Sequence, residues 1–369
     1  MQKNKRPAPR KSPAPTLDKE ETLSQELCSL ALAQEPELRH AVRRYLRQGK
    51  DAVLFGAIEL ARGEDVEAYR LLKETVEEDA GTVLLRKGDG PEMEINAFAI
   101  PLFVHSQGGL READGFQDEA AYAALLDSFT SAGLEGPKAK VVLVQHAYDL
   151  AEMDAIRPSQ LNAMVNEAAA ALLDKKVADA PALLRSIAGW QPASFGAADE
   201  AVELRFLLGF ALKRADDPFY SVPPAGKKQD AWFAARMQRY QDWTVSATPL
   251  LQRCLACAAQ APALRINFLY QDLFYGALQQ GRSEHWMLAM MADFGAALAA
   301  DGGARAVITL VEGEEDAALG VQLLGSSGEL AHADRRLDVG DDVEAQIDDL
   351  RDALATLGIE DVTVELTAP

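Results

Sequence analysis

The segment AKVVLVQHAY, residues 139–148, constrains the fold more than any other stretch. Its apolar residues run on without the every-second-residue alternation of a half-exposed strand. Such a run is expected of a strand whose two faces are both covered. The surrounding segments agree. EINAFAIPLFVH (94–105) reads as a strand, with Pro101 marking an edge or a bulge because proline donates no ladder hydrogen bond. DEAAYAALLDSFTSAG (118–133) reads as a helix closed by Gly133, and PSQLNAMVNEAAAALLDKK (158–176) as another, with DAPALLRSIAGW (179–190) as a further helix.

The same order then recurs. AVELRFLLGFALKR (201–214) is a strand candidate, and KQDAWFAARMQRYQDW (228–243) and TPLLQRCLACAAQ (248–260) are two helices, the second started by Pro249. ALRINFLYQDL (263–273) is a strand and RSEHWMLAMMADFGAALAADGG (282–303) a helix. The strands RAVITLVEG and AALGVQLLG, the helix DDVEAQIDDLRDALATLG and the strand EDVTVEL finish the chain, with GSSGEL (325–330) as a hairpin turn. At a shift near 124 residues, the segment from Val141 lies over that from Arg265, and Ser159 meets Ser283 at a helix start. This predicts a duplicated strand–helix–strand–helix unit, with 141–146 superposing on 265–270 and 159–173 on 283–298.

Ahead of the duplicated part, residues 17–80 hold four short helices with Gly49, Gly63 and Gly81 at their ends, which reads as two helical hairpins. Residues 1–16 are Lys, Arg, Pro and Ser with almost nothing to bury, a disordered basic tail by composition. The expected class is therefore mixed α/β. Its domains are the tail (1–16), a helical region (17–90), a first α/β half (91–200), and a second half (201–369) with a strand–helix–strand extension.

Charge narrows the partners. The chain of 369 residues carries a formal −20, but residues 1–17 hold five basic groups and no acid, so the rest stands at 32 basic against 57 acidic side chains. A body this acidic repels nucleic acid and anionic lipid at long range. Only the tail could touch nucleic acid, and five charges give weak, salt-sensitive contact. The basic, proline-rich start shows no secretory signal, and no apolar run approaches the roughly 18 residues of a membrane span. The chain reads as cytoplasmic, with no membrane partner.

Specific chemistry is not legible. There is no Gly-rich dinucleotide or phosphate loop, no H-E-x-x-H and no nucleophile elbow. Cys254 and Cys257 form a C-x-x-C, but Pro249 puts Cys254 more than a turn into its helix, away from the N-terminal dipole that activates a redox thiol. No second ligand pair supports zinc. The acids of 341–352 fall on a helix face rather than in a calcium loop. No cofactor or metal is expected, and no catalytic residue is assigned. Of the five histidines, His105 and His146 each end an expected strand, where open sheets gather ligands.

One region departs from the rest. Residues 219–286 hold 11 of the 25 aromatics, and residues 205–253 hold eight basic groups against four acids. Arg236, Arg239 and Tyr240 share a helix face at i, i+3 and i+4. Arginine with aromatics suits a protein hot spot or a small anionic or aromatic ligand. Core aromatics with basic residues on the outer helix face are the plainer account. The candidate binding residues are Phe219, Tyr220, Trp232, Arg236, Arg239 and Tyr240, joined by His105 and His146. Phe219 and Tyr220, in a loop stiffened by Pro223 and Pro224, are expected to fold over the helix of Trp232.

The helical opening, NAFAIPLF, HAYDLAEMDAIRPSQL and LRFLLGFALKRADDPFY before a long aromatic helix together resemble an uncharacterised proteobacterial family known only as a domain of unknown function. The resemblance spans nearly the whole chain and implies fold and bacterial origin, with no activity or site residues. Two functions follow as expectations. The first is a non-enzymatic interaction or regulatory protein. The alternative is an enzyme or small-molecule binder with a site between the two halves, near 204–286.

Overall fold

The computed structural model describes residues 19–86, 90–106, 119–136, 138–148, 156–173, 194–197, 200–217, 222–255, 264–300, 303–312, 317–339 and 341–367. It is a mixed α/β structure that divides into two compact units, Met1–Val76 and Glu77–Pro369. The expected tail (1–16), the helix over 179–190, and Phe219, Tyr220 and Cys257 lie outside the described residues.

The first unit is helical: α1 (Lys19–Leu32), α2 (Glu37–Gln48), α3 (Asp51–Glu64) and most of α4 (Val66–Gly81). α2 ends as its sequence requires, with Gly49 in the left-handed region (φ 66°) and its N–H bonded back to Leu46 and Tyr45 carbonyls. α1 packs most heavily on α3, where Gly56 lies against Ser24 and the Ser24 hydroxyl donates to the Val53 carbonyl at 3.1 Å.

The second unit is built on a sheet whose two long central strands are β2 (Met93–Ser106) and β5 (Glu200–Arg214), antiparallel along their whole length. Both are buried through their middles, as unbroken apolar runs demand. β3 (Lys140–Tyr148) lies antiparallel on the outer side of β5, and β6 (Arg265–Phe268) and β7 (Asp272–Leu273) lie antiparallel on the outer side of β2. The short strands β1 (Thr82–Leu85) and β4 (Ser194–Ala197) pair with β2 and β5. Between the strands run α5 (Glu119–Ala132), α6 (Pro158–Leu173), α7 (Lys227–Leu255) and α8 (Phe274–Ala300).

The order β6–β2–β5–β3 is that of a split βαβ pair: the second strand of each half pairs with the first strand of the other. The segments 141–146 and 265–270 therefore occupy equivalent places in one sheet rather than parts of separate domains. α5 and α7 cover one face, packing Phe129 and Trp243 on Phe98, Ile100, Leu102, Leu207 and Ala211. α6 and α8 pack on β2 and β5 as well, and Gly281 of α8 rests against the Phe206 ring, on the opposite face from Leu207.

Pro101 is neither at a sheet edge nor in a bulge. It sits in the central strand β2, opposite the gap between β6 and β7, where its carbonyl accepts from the Leu269 N–H at 2.9 Å. A residue's N and C=O face the same neighbour in an antiparallel pair. Its missing donor thus faces an interruption, which is why a proline is tolerated there. Pro249 likewise starts no helix: α7 runs unbroken through it. The carbonyl it leaves unbonded belongs to Val245, 77% exposed, so water can satisfy it. The core also holds a buried ion pair on β5, where Arg205 Nε and Nη2 donate to Glu203 Oε2 at 2.9 and 2.6 Å.

A second sheet follows: β8 (Arg305–Glu312), β9 (Ala317–Gly325), β10 (Gly328–Leu337) and β11 (Val362–Thr367), in order β10–β9–β8–β11 with β8 and β11 parallel. The turn at 325–328 is the expected hairpin, with Gly328 at φ +127°. β9 alternates buried and less buried residues, the mark of a sheet covered on one face. That cover is α9 (Val343–Thr356) and the second half of α8, through Leu350, Leu354, Met290 and Phe294. Asp342 caps α9 by accepting from the Ala345 N–H at 3.0 Å, and the acids of its exposed face stand in solvent.

Candidate functional site

Three of the basic–aromatic residues meet at one place. Arg236, Arg239 and Tyr240, on one face of α7, line a depression with Leu134, Tyr270 and Gln271. Its volume is about 20 Å³, room for a water rather than for a flat ligand. Tyr240 is its floor: the phenol donates to the Leu269 carbonyl, its ring lies 4.9 Å from Tyr270, and burial holds its pKa above the ordinary tyrosine value. Arg239 reaches the Gly133 carbonyl at 3.4 Å.

Trp232, one turn before Arg236 on the same face of α7, does not line this depression. The first part of α7, Lys227–Arg239, buries none of its residues; burial begins at Tyr240 and continues through Trp243, Ala247, Leu251 and Cys254. On this projecting arm the Arg236 guanidinium lies over the Trp232 ring at 4.9 Å, and Trp232 meets Phe233 edge-on at 4.9 Å. Phe233 (52% exposed) and Met237 (42%) sit at i and i+4, so they form one apolar stripe beside the stacked pair.

The two histidines are not brought together. His105 faces β6, with its Nε2 3.2 Å from Asn267 Nδ2. His146 falls within the irregularity of β3 between Leu143 and Ala147, not at a plain strand end. The Tyr122 hydroxyl donates to the Leu143 carbonyl beside it at 2.6 Å, and burial pushes the Tyr122 pKa up to about 12. β5 separates the two histidine strands, and along it they register at Val202 and near Leu207–Gly209, about 17–20 Å apart.

A larger cleft, of about 580 Å³, has no counterpart in the sequence reading. It opens where α8 passes from the first sheet to the second. Asp272, Gln280, Ser283, Glu284, Trp286 and Met287 form one wall, and Asp341, Gln346, Asp349 and Leu350 the other, with Leu319 and Arg335 between. The two walls are separated by more than fifty residues of sequence, so no local motif announces the cleft. A local trace is the polar stretch from Gln279 to His285 in a largely apolar helix.

Next to it on α8, His285 packs edge-to-face on Phe195 at 5.4 Å, with its Nε2 buried and without a hydrogen-bond partner. Burial lowers its pKa below the ordinary histidine value. The folded state favours the neutral ring, whereas the unfolded chain takes up the proton more readily. Stability is therefore full above about pH 6.5 and falls as pH drops through the lowered value. The urea midpoint should decline between neutral and mildly acidic pH, and His285→Gln should reduce that decline. An unchanged slope would show that the ring is solvated.

Among the described residues, no group of three or more His, Cys, Asp or Glu side chains could hold a metal ion, and no helix is long and apolar enough to cross a membrane. Comparison with protein families, curated proteins and solved structures finds no match for this chain.

Proposed function

We propose that the protein is a non-enzymatic interaction protein of the cytoplasm, and that it engages a protein partner through the projecting first half of α7. The observation that carries this reading is the arm itself: thirteen helical residues, none of them buried as a whole, bearing Trp232, Phe233, Arg236 and Met237 on adjoining faces. Trp, Phe, Met and Arg are the residue types enriched at protein interfaces. The arm also carries Lys227, Lys228, Arg236 and Arg239 against Asp230 in a chain of net −20, so an apolar groove with an acidic rim suits it. Membership of the uncharacterised proteobacterial family, and descent of the two halves from one duplicated unit, belong to the same proposal. The shared sheet order supports the second.

A photo-crosslinker placed at Phe233 in cells should trap one defined protein, identified by mass spectrometry and rebuilt as a complex from purified components. Trp232→Ser with Arg236→Ser should weaken that complex by at least about 30-fold, as losing hot-spot anchors worth about 2 kcal/mol does. The melting temperature should not move. A fall in stability typical of a core deletion would show that the arm packs inward, and the reading would be wrong.

A further inference from the structure

A sheet edge presents a row of backbone groups that will pair with another chain unless something blunts it. The described sheets blunt their edges, with one exception. In the first sheet, one side is broken into the short pieces β1, β7 and β6, and β3 on the other side carries an irregularity between Leu143 and Ala147. In the second sheet, β10 has a register shift between Glu329 and Ala331 and the charged run Asp334, Arg335, Arg336. β11 has none of these devices. It pairs with β8 without a shift over all 6 of its residues, and its sequence VTVELT holds no lysine and no proline. Among the described residues, no strand covers its outer side.

One bond sets the backbone direction along β11. The Ala306 N–H donates to the Asp361 carbonyl at 2.9 Å, so Asp361 and every second residue after it turn their backbone groups toward β8. Val362, Val364 and Leu366 therefore turn theirs outward. In an antiparallel pair, such outward-turned residues must stand opposite one another to exchange hydrogen bonds. Two copies of β11 related by a two-fold axis can meet this condition about different centres. Centring on Glu365 sets Glu365 against its own counterpart, and centring on Thr363 sets it against Asp361. Centring on Val364 opposes Thr363 with Glu365 and brings no like charges together. We propose that the chain forms a two-fold dimer through β11 in this last register, joining the second sheets of two copies into one. Val362 and Val364, half-buried on the core of this sheet, continue its apolar layer across the axis. The exposed Thr363 and Glu365 pair on the open face.

The self-complementary register favours a second copy over an extended peptide from another protein, which would leave the purified chain monomeric. Because each copy carries −20, long-range repulsion opposes the dimer, and salt should strengthen it. The test is analytical ultracentrifugation of the full-length protein over a range of concentrations. A monomer–dimer equilibrium is expected, tightening as salt rises. Thr363→Glu sets like charges opposite each other twice across the axis and should weaken the dimer about tenfold, whereas Thr363→Lys should tighten it. Thr363 is exposed, so neither change should move the melting temperature. Val364→Pro removes an outward N–H without breaking the β8 ladder and should abolish dimerisation. Hydrogen exchange should show the Val362 and Val364 amides protected only at concentrations where the dimer forms. Trp232→Ser, on the arm of α7, should leave the dimer intact. A monomer at every concentration would overturn the proposal. So would a dimer broken by Trp232→Ser, one that responds alike to Thr363→Glu and Thr363→Lys, or one that leaves those two amides unprotected.

Discussion

Trp243→Ala is expected to cost about 3–5 kcal/mol of folding stability, the range for deleting a large buried aromatic. Trp243 is 2% exposed and is the knot between α7, α5 and the sheet. Its ring meets Phe129 edge-on at 5.3 Å, Tyr240 at 5.7 Å and Phe268 at 5.7 Å, and its indole N–H donates to Ser128 Oγ at 3.2 Å. Removing it opens a cavity that rigid neighbours cannot fill and leaves Ser128 without that donor. Urea denaturation would measure the loss. Because the projecting arm is continuous with this anchored segment, partner binding should fall together with stability. Trp232→Ser should separate the two by affecting binding alone. A loss below about 1 kcal/mol for Trp243→Ala would mean that the α5–α7 layer rearranges around the gap.

Gly209→Ala should be the most damaging of the small substitutions, costing about 3 kcal/mol, the upper part of the usual overpacking range. Gly209 stands directly opposite Phe98 in the β2–β5 ladder, and a Cβ there would lie 2.6 and 2.7 Å from Phe98 Cε2 and Cε1. The ring has nowhere to go. It is stacked on Phe129 at 5.3 Å with an interplanar angle of 6°, and Phe129 is held in turn by Trp243. Shortening the ring should relieve the clash. The double variant Phe98→Leu/Gly209→Ala should therefore cost less than the sum of its single changes, since residues in contact couple. Additive losses would show that Gly209 is needed for its backbone rather than for the space.

Most elements could be read from the chain because their signals are local. The apolar run of β3, the long strand β5 and the glycine-closed α5 lie where periodicity puts them. The failures are also physical. β1 and β4 are four residues each, too short for a period to show. The strand expected over 263–273 breaks into β6 and β7, and α8 begins at Phe274 rather than near Arg282, because Phe274, Ala277 and Leu278 find a buried face to pack on. Of the site residues, the helix-face spacing of Arg236, Arg239 and Tyr240 was legible, and so was their mixing with aromatics. That α7 leaves the core before Trp232 was not, since exposure depends on what else is nearby.

The kind of each element and the covering of the central strands follow from local sequence, since side-chain period and turn chemistry act over a few residues. Three outcomes belong to long-range packing: each half lends its second strand to the other's first, proline sits mid-sheet at Pro101, and α8 carries a cleft between two sheets. Those outcomes rest on contacts between residues far apart in sequence, Phe98 with Gly209 and Leu102 with Phe268 among them. No local pattern records which of several apolar partners a strand meets. That choice is settled by the fit and burial of the whole assembly.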